Sequence, residues 1–163
     1  MVLRASPKGK PELVLPVANI SFNLSHTHGL ALVVIAGHGR VGVDAETVRA
    51  GIEVVDLSRR LFAPGEADEI LSLPPDARLA AFFTCWTRKE AFVKALGAGI
   101  SLPLNRFRVT VRPDQPARLI SVDYEESGHW TLLDVGEPGI AAALAVEGPV
   151  PLLRRFSFTP PSA

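Results

Sequence analysis

Residues 77–99 read ARLAAFFTCWTRKEAFVKALGAG, and the spacing of their apolar side chains decides the fold. Leu79, Phe82, Phe83, Trp86 and Val93 recur at three- and four-residue steps, which predicts a helix from Ala77 to about Leu96 with one apolar stripe. Pro74-Pro75 breaks the chain ahead of it, Asp76 stands where a capping residue belongs, and Gly97 and Gly99 close it. Glu90 falls inside the stripe, four residues after Trp86 and three before Val93, and Lys94 follows it one turn later. Arg88 and Lys89 lie off the stripe and are expected to face solvent.

A carboxylate on an apolar face is costly unless it is paired or binds a cation. Two readings of Glu90 therefore stand side by side. One is an ion pair with Lys94 at the edge of the stripe, a contribution of roughly 0.3–0.5 kcal/mol. The other is membership of a carboxylate cluster, which needs further acids. Val41-Gly42-Val43-Asp44-Ala45-Glu46 supplies them: in a strand, alternation puts Asp44 and Glu46 on one side. Their mutual repulsion favours a cation, and carboxylate oxygens without nearby Cys or a His pair suit Mg2+ or Mn2+ rather than zinc. The plainer alternative is that Asp44 opens a turn and Glu46 is solvated. Gly42 fits a close backbone approach or a β-bulge.

Working outward, residues 1–17 read as a loop or arm. A polar stretch, Asn23 to Gly29, precedes a strand at Leu30–Ala36; Gly37-His38-Gly39 then turns into Arg40–Asp44, so residues 30–44 read as a hairpin. Helical signals run from Val54 to Phe62 and from Pro64 to about Ser72. Strand signals at 107–111, 118–122, 130–134, 140–146 and 152–158, separated by turns, predict an antiparallel meander. Hairpin, helices and meander in that order make an α+β fold.

The 163 residues, 47% of them hydrophobic, suffice for one core or two small lobes sharing one. Lys+Arg and Asp+Glu are equal at 17 each, which excludes the broad basic excess of a nucleic-acid binder. The balance is uneven along the chain: residues 1–112 hold 14 basic and 10 acidic side chains, and residues 113–163 hold 3 and 7. Two readings stand: the front of the chain attracts a small anion, or an excess of four charges is chance. No apolar run reaches the roughly 18 residues of a membrane span. The opening MVLRASPKGKPELV lacks the apolar core of a secretory signal, and the lone Cys85, set inside the long helix, excludes an internal disulfide; both lead us to expect a cytoplasmic protein. No nucleophile elbow surrounds Ser25 and no phosphate-binding GxxxxGK[ST] loop is present, so neither a serine hydrolase nor a P-loop nucleotide hydrolase is expected.

Taken together, GKP (9–11), FNLSH (22–26), VGVDAE (41–46) and WTRKEAFVKALGAGISLPL (86–104), with FAPGE (62–66), resemble the Sfp-type branch of the 4′-phosphopantetheinyl transferase superfamily over roughly residues 9–111. The resemblance implies an antiparallel sheet packed against the long helix. It further implies a partial first lobe at 1–46 carrying coenzyme A-binding motifs, a second lobe at 47–158 and a tail at 159–163. The implied reaction is Mg2+-dependent transfer of the phosphopantetheine arm of coenzyme A to a serine of an apo acyl or peptidyl carrier protein. The serine attacks the β-phosphorus and 3′,5′-ADP leaves. By resemblance Asp44, Glu46 and Glu90 hold the metal. Glu90, Lys94 and Glu46 serve catalysis, with Glu90 or Glu46 as base. Lys10, Pro11, Ser25, His26 and Lys94 contact coenzyme A. An incomplete first lobe leaves three outcomes open, association between copies, a shortened but active monomer, or a fragment, and with them a second function, that of a non-catalytic or subunit-dependent module binding coenzyme A or a carrier protein.

Overall fold

The computed structural model describes residues 3–5, 11–13, 20–97, 102–123, 128–150 and 152–158. In these the order is β1 (Leu3–Ala5), β2 (Pro11–Leu13), β3 (Ser21–Thr27), β4 (Leu30–Ala36), β5 (Val41–Thr47), α1 (Val54–Leu61), α2 (Pro64–Ser72), α3 (Pro75–Leu96), β6 (Phe107–Val109), β7 (Leu119–Val122), β8 (Trp130–Asp134) and β9 (Ile140–Glu147). All strand pairs are antiparallel: β5-β9-β8 form a three-stranded sheet, and β1–β2, β3–β4 and β6–β7 form two-stranded ones. β5 runs through residues 46 and 47, where the sequence places the junction of two lobes, and pairs along its length with β9.

Small side chains set how closely α3 meets its sheet. Gly42, Asp44 and Glu46 pair with Ala145, Ala143 and Ala141, so that face of the sheet carries alanines and a glycine. A Cβ on Gly42 would overlap the Ala91 carbonyl oxygen and the Ala95 nitrogen of α3. Of the two readings of Gly42, the close approach is the one found. Val41, Leu144 and Val146 form a smaller core on the opposite face, against Val34 and Ala36 of β4.

Strands β1 and β2 pair within the stretch that reads as a loop or arm, and the fold departs from the sequence reading in four further places. Residues 30–44 do not form a hairpin: β4 turns back on β3 through His28-Gly29, with Gly29 at φ 72°, from Thr27↔Leu30 to Ser21↔Ala36. The polar stretch before β4 is therefore itself a strand, its side chains alternating between buried and exposed. The meander is divided, because β6–β7 pair separately and β9 lies between β8 and β5; residues 152–158 carry no strand. The cap of α3 is Pro74 rather than Asp76, which lies in the first turn where its charge suits the helix dipole. Gly97 ends the helix at φ 65°, as the glycine signal predicts, while Gly99 lies outside the described residues.

The fourth departure is the largest. Arg88 and Lys89 are fully buried, not solvated. Arg88 forks onto Asp134, Nε to Oδ1 at 2.9 Å and Nη2 to Oδ2 at 2.6 Å, and donates to the carbonyls of Thr110, Arg112 and Gln115. Lys89 Nζ meets Glu66 Oε2 at 2.7 Å, donates to the carbonyls of Leu104 and Phe107, and stands 4.2 Å from the centre of the Phe107 ring. α3 is enclosed by the sheet on one side and by α2 and β6 on the other, so its charged residues need built partners rather than water. From Ala81 to Ala95 only Trp86, Glu90 and Lys94 keep partial exposure. Cys85 is buried, and burial pushes its thiol well above the usual range, as its place in the helix leads one to expect.

Candidate functional site

That partly open strip of α3 lies over the acidic end of β5. The parity that turns Gly42 to the helix turns Asp44 to it as well, and Lys94 Nζ reaches Asp44 Oδ1 at 2.7 Å. The cation of Lys94, one turn after Glu90 on α3, is thus paired with a carboxylate of β5.

Asp44 is buried, and its carboxylate is only half satisfied. Oδ1 accepts from Lys94 and from the Ser25 hydroxyl at 3.1 Å, whereas Oδ2 is buried with no hydrogen-bond partner. Glu46, two residues on, is partly exposed and 3.5 Å from Arg49 Nη1. Burial raises the Glu90 carboxyl above its usual value; the charge of Asp44 raises it further, Lys94 opposes the shift, and Glu46 adds to it. Two acids of the sequence reading, Asp44 and Glu46, thus act on the third, Glu90.

Among the described residues no three His, Cys, Asp or Glu side chains stand converged as a metal cluster. The donors nonetheless suit a divalent ion of the magnesium class: they are hard oxygens, one is an orphaned buried carboxylate oxygen, and the cations on the group, Lys94 at Asp44 and Arg49 at Glu46, are monovalent. The fit is one of donor chemistry.

The candidate coenzyme A contacts are scattered. Lys10 lies outside the described residues, and Pro11 is seen only as backbone opposite Ala5 in β2. His26 is exposed on the outer face of β3, beside Leu24 and opposite Ala31. Ser25 is on the inner face, buried, with its hydroxyl engaged by Asp44, by the Ala45 amide at 3.2 Å and by Lys94 Nζ at 3.0 Å. The neighbours Ser25 and His26 therefore point apart, as alternation in a strand requires.

Sequence reasoning missed the supports of this site. Asn23 and Thr27 bind β5 from the same strand face as Ser25, and a period-two run of hydrogen-bonding side chains was the available signal. Glu66, in the FAPGE stretch, is the buried counter-ion of the residue next to Glu90, and its partner is discernible only in three dimensions.

Comparison with known proteins agrees with this architecture. A family model described as the 4′-phosphopantetheinyl transferase superfamily matches residues 40–145, which contain all of β5 and α3 and β9 as far as Ala145. The 4′-phosphopantetheinyl transferase HetI of Nostoc is 35% identical over 86% of this chain and 58% of its own length. A 4′-phosphopantetheinyl transferase of Bacillus subtilis is 35% identical over 65% of this chain and 46% of its own. Both support the Sfp-type branch. The chain spans about half the length of these relatives. The crystal structure of Thermotoga maritima holo-[acyl-carrier-protein] synthase superposes with a TM-score of 0.53 at 21% identity, covering 66% of this chain and 62% of that one, a likeness of fold. With the family model covering the acid strand and the long helix together, the chain belongs to the 4′-phosphopantetheinyl transferase superfamily.

Proposed function

We propose that this chain transfers the 4′-phosphopantetheine arm of coenzyme A to a serine of an apo acyl or peptidyl carrier protein. The observation that carries the reading is the meeting of Asp44 on β5 with Lys94 on α3, one turn from a Glu90 whose carboxyl is raised by burial and by the neighbouring acids. Asp44, Glu46 and Glu90 would hold Mg2+ or Mn2+. When bound, the ion supplies positive charge to the pyrophosphate oxygens.

The chain's own groups do the remainder. Lys94 brings an ammonium to the phosphates, and Lys10, Pro11 and the exposed His26 extend the contact to the rest of coenzyme A. Glu90 accepts the proton of the carrier serine, directly or through a water, and Glu46 is the alternative base. The serine oxygen bonds to the β-phosphorus, the bond to the bridging oxygen breaks, and that oxygen leaves with 3′,5′-ADP. A raised carboxyl is a stronger base, and a positioned base contributes about 10²–10⁴-fold. The exposed Leu24, Val33 and Ile35 on the outer face of the β3–β4 hairpin support contact with a second copy, which sedimentation at rising concentration would detect.

A second reading is a module that binds coenzyme A or carrier protein without turnover, and it is favoured by the acids not standing preassembled around a metal position. One experiment separates the two: incubate the chain with coenzyme A, Mg2+ and an apo carrier protein, then weigh the carrier. A phosphopantetheine mass gain that EDTA abolishes supports transfer; coenzyme A binding with no gain supports the module.

A further inference from the structure

One edge of β5 is paired with β9, and the other is met not by a backbone ladder but by three side chains of β3. The amide of Val43 donates to Asn23 Oδ1 at 3.0 Å, that of Ala45 to Ser25 Oγ at 3.2 Å, and that of Thr47 to Thr27 Oγ1 at 3.0 Å. The rungs recur every two residues on both strands, so the inner face of β3 acts as a substitute strand that satisfies amides otherwise buried without acceptors.

The middle rung does more than the outer two. A serine hydroxyl has one proton to donate and two lone pairs to accept with. In Ser25 the proton goes to Asp44 Oδ1, and the lone pairs take the Ala45 amide and Lys94 Nζ. All its capacity is in use inside the protein, and none remains for a phosphate. We infer that Ser25 is a positioning residue, which locks Asp44 and Lys94 into a single arrangement on β5, and that His26 alone of the pair faces the ligand. Its part in transfer rests on the function proposed above; its hold on Asp44 does not.

The variants Ser25→Ala, Ser25→Thr and Thr27→Ala test this, Thr27 being a rung that makes the same kind of bond to β5. In steady-state transfer, Ser25→Ala is expected to lower kcat about tenfold or more, the value of a hydrogen bond to a charged group, with KM for coenzyme A unchanged. Ser25→Thr restores kcat and Thr27→Ala leaves it near wild type. A rise in KM at constant kcat would make Ser25 a phosphate ligand and overturn the inference, as would equal losses in Ser25→Ala and Thr27→Ala. The second measurement needs no turnover. In urea unfolding, Ser25→Ala and Asp44→Asn should combine non-additively, whereas Thr27→Ala and Asp44→Asn should add. Additivity in both pairs overturns the hold on Asp44. If the wild-type chain forms no holo-carrier, the proposed function fails while this cycle still decides whether Ser25 holds Asp44.

Discussion

Lys89 and Lys94 lie little more than one turn apart on α3, and each has a carboxylate at 2.7 Å, yet the two pairs are opposites. The Lys89–Glu66 pair is sealed, with side chains 0% and 1% exposed; the Lys94–Asp44 pair is open on the lysine side, at 30% and 7%. In the sealed pair burial pushes Glu66 up and Lys89 down, the partner's charge opposes each shift, and the further hydrogen bonds go to backbone: Ala63 and Val109 amides on Glu66, Leu104 and Phe107 carbonyls on Lys89. Such a pair ties α2, α3 and β6 together and has nothing left to exchange. In the open pair one Asp44 oxygen is unpartnered, and the lysine borders water. Distance alone does not tell a structural ion pair from a reactive one; the satisfaction of the remaining atoms does.

The sharpest break of this contrast is at Glu90. Glu90→Gln is expected to cost transfer about 10²–10⁴-fold, read as the rate of carrier mass gain, without loss of fold. Stability should move the other way. A carboxyl raised above 4.5 in the folded chain stabilises fully only below that pH, and the contribution is lost as pH rises through the raised value. Thermal midpoints should therefore show the glutamine variant at or above wild type at pH 7, the gap closing on acidification.

At the sealed pair the effect is on stability. Glu66→Gln strands a buried ammonium and should cost about 3–5 kcal/mol in urea unfolding, most of it recovered when Lys89→Met is added. Gly42→Ala drives a methyl into the backbone of α3 and should cost about 1–3 kcal/mol, with a fall in transfer because Asp44 and Lys94 are pushed apart. The smallest effect is at the rim of the sheet. Arg40 donates two side-chain bonds and its amide to the Glu147 carboxylate and holds it below its usual 4.5. That contribution is present above the usual value and is lost as pH falls through the lowered one. The pair is only half-buried and borders solvent, so Glu147→Gln should change the acid limb of the unfolding curve by only about 0.5 kcal/mol.

What could be read in the sequence follows the same divide. α3 and its glycine stop, the acid alternation of β5 and the close approach at Gly42 are local patterns, and each appears in the fold. The partner of β4 is not fixed by the pattern of residues 30–44, which reads as a hairpin: β4 pairs with β3, and β9 takes β5 from a hundred residues away. Arg88 and Lys89 were misjudged because a helical wheel assigns charge to solvent, whereas their partners lie in α2, in β8 and in the segment 104–115. Leu152 to Phe158 has strand-like side chains but no strand beside it. In the site, the types and sides of Asp44, Glu90 and Lys94 were legible, whereas the use of Ser25 was not, since a hydroxyl before an acid strand looks the same whether it faces in or out.

The most direct test of the division between the two pairs is a single assay, the initial rate of phosphopantetheine mass gain on an apo carrier with coenzyme A and Mg2+. It compares two charge-neutral double replacements, Glu66→Gln with Lys89→Met and Asp44→Asn with Lys94→Met. The first should retain transfer at a temperature where it is folded, and the second should abolish it while remaining folded. Loss of transfer in the first with retention in the second would contradict the assignment of the sealed pair to the fold and the open pair to the chemistry.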